Sequence, residues 1–141
     1  MNELDIILNK IEEKLGVDIS ASSIMVDYRG AEFSDARMVY YKLSRELTVR
    51  STKEIGDKIK RNHSTVIIQA NKAGELIEVD PHFNKKYEMI LSGCKSQIKA
   101  YYNEITESEA VLQKQAYEMR LAYHKGRVKQ YAKLIKQIKS A

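Results

Sequence analysis

Apolar residues recur every three or four positions through most of the chain, which is the spacing of one face of an α-helix. Residues 3–15 predict a first helix. Residues 17–30 predict a short second helix followed by a loop, and residues 31–48 predict a third helix capped by Ser34 or Asp35. The residues that mark the first helix are Ile6, Ile7, Ile11 and Leu15 on its apolar face and Gly16 at its end. The pattern favours an all-α fold.

Two further helices follow in the arrangement of a helix-turn-helix, at about residues 51–78. Ser51 and Glu54 form a capping box, in which each side chain bonds the backbone N–H of the other residue, and the helix that follows ends near residues 58–60. Residues 62–78 predict the second helix of this pair, and its first turn is polar. Its apolar stripe, expected in the core, contains Val66, Ile67, Ala70, Ala73 and Ile77.

A long helical extension is predicted towards the C-terminus. Pro81 fits the first turn of a helix, and Ser92-Gly93 is a candidate end or kink. A heptad pattern follows, interrupted by Gly126, and its positions are Tyr117, Leu121, His124, Val128, Tyr131, Ile135 and Ile138. Three uses stay open: pairing with a second copy in a homodimer, folding back on the domain through the Leu121–Ile138 stripe, or contact of its lysines with DNA phosphates.

Composition and charge narrow the class of protein. The chain has 141 residues, enough for one globular domain with an appendage, and its single Cys94 excludes an intramolecular disulfide. Without a signal peptide or an apolar run of roughly 20 residues, we expect a cytoplasmic protein with no membrane segment. Residues 119–141 carry seven bases and no acids, within a net charge of +5. This asymmetry indicates a polyanionic partner or a solvated basic face.

Enzymatic chemistry is not indicated. None of the six glycines has the spacing of a phosphate-binding loop followed by Lys-Ser or Lys-Thr. His63, His82 and His124 form no metal-binding pattern with each other or with Cys94, which we interpret as a buried thiol. We therefore expect a protein that is not an enzyme and that needs no metal or cofactor.

Four short motifs occur in one order within residues 36–66: Ala36-Arg37, Arg45-Glu46-Leu47-Thr48, Glu54-Ile55-Gly56 and His63-Ser64-Thr65-Val66. Together they resemble the C-terminal DNA-binding domain of the bacterial replication initiator DnaA, and Lys72 and Leu76 continue the match. The resemblance covers roughly residues 3–91. It implies a DnaA domain IV-like or TrpR-like helix-turn-helix bundle that binds double-stranded DNA, here with a long C-terminal helical extension.

The resemblance also implies which side chains contact DNA. The residues expected at base edges are Asn62, His63 and Ser64 in the major groove and Arg29 in an adjacent minor groove. Those expected at phosphates are Arg37, Arg45, Thr52, Lys53, Lys60, Arg61, Thr65 and Lys72. Four of these residues have an alternative structural explanation: His63 and Ser64 are also common capping residues, and Arg37 and Arg45 could form ion pairs on a solvated helix.

The sequence departs from the family pattern at four places. Asn62 replaces an acidic residue, exchanging an acceptor for a side chain that also donates. The linker "IKRN" is one residue shorter than usual and has no glycine. The basic loop is reduced to Arg29-Gly30-Ala31, and Lys53 replaces the usual proline. The ATPase module of the initiators has no counterpart, so we expect a stand-alone DNA-binding unit.

These observations predict a DNA-binding domain in residues 1–92 and a basic helical extension in residues 93–141. By analogy, such a protein would occupy DnaA-box-like sites to regulate replication or transcription, as a small protein of a phage or other mobile element could. The alternatives are an interaction module that binds a replication protein without contacting DNA, and a basic protein that coats DNA without sequence preference.

Overall fold

A computed structural model describes residues 2–24, 28–104, 112 and 115–120 of the chain. These residues contain no strand, so the all-α prediction is confirmed. The helices are α1 (Glu3–Leu15), α2 (Ala31–Leu47), α3 (Thr52–Lys58), α4 (His63–Val79) and α5 (Pro81–Glu104), and residues 115–120 are helical as well. None of the described helices is long and apolar enough to cross a membrane.

The capping residues place the ends of α1 and α3 where the sequence predicts them. Gly16 follows α1 in the left-handed conformation, with φ of 72°, and ends the helix. Ser51 Oγ accepts the Glu54 N–H at 3.1 Å, which gives the predicted capping box at the start of α3. Both predictions are confirmed.

The short helix predicted within residues 17–30 is wrong for the part that the structure describes. Residues 17–19 have no regular structure, and residues 20–24 form turns and bends instead. Asp18 Oδ1 accepts the Ser20 N–H at 2.9 Å, a local turn that competes with helical hydrogen bonding.

The predicted cap of α2 is also wrong, because the helix begins after Gly30 rather than at Ser34 or Asp35. The Ser34 N–H donates to the Gly30 carbonyl at 2.9 Å as part of the first turn. The Asp35 carboxylate pairs instead with Lys86 of α5 at 3.0 Å.

The core forms around α2, which packs against α1, α3, α4 and α5. Its buried side chains include Ala36, Val39, Tyr40, Leu43 and Leu47. Buried Tyr40 donates its hydroxyl to the Ile55 carbonyl at 2.7 Å, which fixes α3 against α2. The helix-turn-helix therefore rests on a well-packed support.

The fifth helix passes through Ser92 and Gly93 without ending. Cys94, Ile98 and Tyr102 continue its buried face, and α5 packs along α1. The predicted domain boundary between residues 92 and 93 thus falls inside one helix. Residues 93–104 pack on the same bundle as the helix-turn-helix.

A buried carboxylate connects the start of α1 to α5 and to the segment before α3. Glu3 is fully buried and accepts hydrogen bonds from Arg50 Nη2 at 2.9 Å and from the Tyr102 hydroxyl at 2.7 Å. Burial acts to raise the pKa of Glu3, but the hydrogen bonds from Arg50 and Tyr102 prevail and lower it. Arg50 also pairs with Glu54 at 3.1 Å, so this network reaches the capping box of α3.

Part of the C-terminal extension returns to the bundle. The Tyr117 ring is buried and lies 5.0 Å from the Tyr102 ring, and Arg120 donates a hydrogen bond to the Arg45 carbonyl. Residues 115–120 therefore pack against α2 and α5. The heptad positions from Leu121 to Ile138 lie outside the described residues, and the predicted homodimer stays a prediction.

Candidate nucleic-acid interface

A tight turn joins α3 to α4. Lys60 adopts the left-handed conformation, with φ of 55°, where glycine is the usual residue. The Arg61 N–H donates to the Gly56 carbonyl at 2.8 Å. A Cβ on Gly56 would lie 2.4 Å from the Arg61 carbonyl oxygen, so only glycine permits this close approach. The linker itself contains no glycine. Its tight turn depends on Lys60 in a strained conformation and on Gly56 within α3.

The first turn of α4 presents polar groups to solvent. Asn62 is the N-cap, and its side-chain oxygen accepts the Ser64 N–H at 2.8 Å. Because this oxygen serves the helix, the amide N–H groups are the part of Asn62 suited to an outside acceptor. His63 and Ser64 follow as exposed first and second residues of the helix. Asn62, rather than His63 or Ser64, thus provides the cap.

A concavity beside this turn is lined by guanidinium groups from three separate segments. It has a volume of about 630 Å³, and its lining includes Arg29 from the loop before α2, Arg37 from α2 and Arg61 from the turn. Thr65 of α4 lies at the same concavity. Burial raises the pKa of the neighbouring Tyr41, while Arg61 and Arg37 act to lower it, which is the effect of a positive local potential. The fold brings together basic residues that are far apart in sequence.

Arg37 combines a structural role with its position at the concavity. The residue is only 6% exposed, its guanidinium donates to the Tyr28 carbonyl, and it lies 5.8 Å from the centre of the Phe33 ring. These contacts fix the end of the loop that carries Arg29. Of the predicted phosphate contacts, Arg37 is the one that the structure buries.

The other predicted phosphate contacts differ in exposure and lie on several elements. Lys53, Lys60 and Lys72 are exposed, and Thr52 and Arg45 are half-buried. Lys53 pairs with Asp57 at 2.9 Å across one turn of α3, so it would exchange this partner to contact a phosphate. The exposed basic residues therefore come from α3, from the turn and from α4.

Two features of the surface were not predicted. Ile67, expected in the core, is 38% exposed, and the neighbouring Ile68 is 62% exposed. Gln69 lines the arginine-rich concavity with Thr65. The exposure of Ile67 contradicts the core assignment because the buried face of α4 is centred on Val66, Ala70 and Ala73.

The described residues include no group of three or more His, Cys, Asp or Glu side chains placed to hold a metal ion. Cys94 is fully buried, and burial raises the pKa of its thiol to about 12. Its interpretation as a buried thiol is confirmed.

The helix pair, with its exposed polar turn and basic surroundings, defines a helix-turn-helix protein. Residues 4–73 match the family described as the bacterial DnaA protein helix-turn-helix. The matched region contains α2, α3 and the first eleven residues of α4, and the match confirms the resemblance seen in the sequence. The family consists of DNA-binding rather than catalytic domains. Searches of curated proteins and of solved structures gave no match.

Proposed function

We propose that this protein binds double-stranded DNA sequence-specifically and occupies DnaA-box-like sites to regulate replication or transcription. The observation that carries the proposal is the continuity of two surfaces: the exposed first turn of α4 and the concavity that contains Arg29, Arg37 and Arg61. A helix-turn-helix inserts the N-terminal residues of its second helix into the major groove. Here those residues are polar, while basic groups surround them.

Different side chains would contact the bases and the phosphates of the DNA. Asn62, His63 and Ser64 would contact base edges in the major groove, since their hydroxyl, imidazole and amide groups can donate to base acceptors. Arg29 would extend towards an adjacent minor groove. The residues proposed at phosphates are Arg37, Arg45, Thr52, Lys53, Lys60, Arg61, Thr65 and Lys72. The lysines and arginines among them would supply the counterion-release contribution that dominates affinity for DNA.

Selection of duplexes from a random pool on the purified full chain tests the proposal. We expect enrichment of one short box, and we expect His63→Ala to lose that preference while keeping its melting temperature, because the side chain is exposed. No duplex retained at about 100 mM salt would overturn the proposal and favour a protein-interaction module. Retention of all sequences alike would favour nonspecific coating.

Lys72→Ala separates phosphate contact from base contact. Lys72 is exposed on α4, and its loss should weaken binding to all sequences about equally and reduce the slope of log affinity against log salt by about 1. Lys99→Ala, at an exposed position of α5, is the matched control and should leave both quantities unchanged. A change in base preference in the Lys72 variant, with an unaltered salt slope, would contradict the assignment.

A further inference from the structure

The outward face of α4 carries a large apolar side chain where polar residues are expected. Val66, Ala70 and Ala73 are buried against the bundle, whereas Ile68 is 62% exposed. Ser64, Ile68 and Lys72 follow each other at intervals of four residues and are all exposed. Residues at this spacing lie on one face of a helix. Ile68 therefore lies between a proposed base contact and a proposed phosphate contact.

The residues around Ile68 suit a partner that is a polyanion and that presents a small apolar group. Its partly exposed neighbour Ile67 is the adjacent apolar side chain, and the exposed Asn71 and Lys72 follow on the same side of α4. A stable protein interface covers about 800 Å² on each partner, far more than two isoleucines provide. The major groove of DNA offers one apolar group, the 5-methyl of thymine, beside acceptors and phosphates.

We infer that Ile68 contacts the 5-methyl group of a thymine in the major groove and so determines part of the sequence preference. The inference rests on the proposed function and adds a residue that the family motif does not include. Ile68 lies about 6 Å along the helix axis from Ser64, at about 1.5 Å per residue. The thymine is therefore expected at a base pair near the one that Ser64 contacts.

The test replaces each thymine of the selected box, one at a time, with deoxyuridine, which lacks only the methyl group. At one position the native protein should bind the deoxyuridine box about four-fold more weakly, the value for burial of one methyl-sized group. Ile68→Ala should bind the two boxes equally at that position and bind the thymine box more weakly than the native protein does. Because Ile68 is exposed, the variant should keep the native melting temperature.

Val79→Ala is the matched control, because Val79 is an aliphatic residue of the same helix, 74% exposed and distant from its first turn. This variant should keep the preference for thymine over deoxyuridine. The inference is overturned if no position responds to the methyl group, or if Ile68→Ala keeps the native preference at every position. A failure of the proposed function looks different, because then no box is selected, and the inference falls with it.

Discussion

The Glu3 network and the first turn of α4 use polar side chains in opposite ways. Glu3 is fully buried, and both of its oxygens accept hydrogen bonds from Arg50 and Tyr102. Asn62 and His63, by contrast, face solvent at the start of a helix. A buried charge needs partners within the protein, while an exposed polar group remains hydrated until a ligand replaces the water. One region stabilises the bundle, and the other is available for binding.

This difference also separates the expected effects of substitutions. The network joins α1, α5 and the segment before α3, so its loss should lower stability without changing which DNA is bound. Asn62, His63 and Ser64 are exposed, so their substitution should change binding more than stability. Substitutions that disturb both properties are expected at the α3–α4 turn, where Gly56 packs closely against Arg61 and Val66.

The largest loss of stability is expected for Glu3→Ala. The variant leaves Arg50 and Tyr102 without their acceptor, and removal of one partner from a buried pair costs about 3–5 kcal/mol. Since the Arg50 side chain is 23% exposed and can regain water, we expect about 3 kcal/mol, the lower end of this range. Urea unfolding would measure the free energy, and the folded variant should select the same DNA box as the native chain.

Asp57→Ala is the control for this prediction, because the Lys53–Asp57 pair is 81% and 61% exposed and should contribute less than about 1 kcal/mol. The dependence of stability on pH provides a second check. The pKa of Glu3 is lowered from 4.5 in the folded state, so its contribution is complete above that pH and is lost as pH falls through the folded pKa. Glu3→Ala should therefore lose less stability between about pH 6 and pH 3 than the native protein. Equal losses would contradict the role of Glu3.

The sequence predicted the helices well where local chemistry sets their ends. Gly16 and the Ser51–Glu54 capping box act within one helical turn, so each can be recognised from the sequence. The hydrogen bond between Glu3 and Tyr102 joins residues 99 positions apart, and no local pattern indicates it. The helix predicted after α1 failed for a different reason, since the turn at Asp18 and Ser20 competes with helical periodicity.

The candidate site was predictable in composition but not in arrangement. The motif placed Asn62, His63 and Ser64 at the start of α4, and the structure exposes all three there. The grouping of Arg29, Arg37 and Arg61 depends on tertiary packing, as does the burial of Arg37. Ile67 was misassigned because adjacent residues point about 100° apart on a helix, so Val66 and Ile67 cannot share the centre of a buried face.

Gly56→Ala should lower both stability and affinity for the box, with a smaller loss of stability than Glu3→Ala. The new Cβ would lie 2.4 Å from the Arg61 carbonyl oxygen and 3.3 Å from Val66 Cγ2. Relief of this overlap displaces the α3–α4 turn, and such overpacking typically costs about 1–3 kcal/mol. Box affinity should fall as well, because the turn positions Asn62 and Arg61. Thermal unfolding and a binding titration on the same samples would measure the two effects.

Gly74→Ala is the matched control within the helix-turn-helix. The nearest atom to a Cβ at Gly74 is Lys42 Cε at 3.8 Å, an ordinary contact. In the interior of α4, alanine is favoured over glycine by about 1 kcal/mol, so this variant should be slightly more stable and bind the box normally. If Gly56→Ala behaved like Gly74→Ala, the close approach at the turn would not matter.

The smallest stability effect, and the most specific binding effect, is expected at Asn62. Asn62→Ala removes the oxygen that accepts the Ser64 N–H and should cost about 1 kcal/mol. Asn62→Asp keeps that acceptor and should preserve stability, but it replaces the outward amide donor with a second acceptor. The preferred base at one position should then change from one that presents an acceptor to cytosine, which presents an amino group. Duplex selection with both variants measures the preferred base, and the slope of log affinity against log salt concentration, which should not change, is the control. An unchanged base preference in Asn62→Asp would mean that Asn62 serves only as the cap of α4.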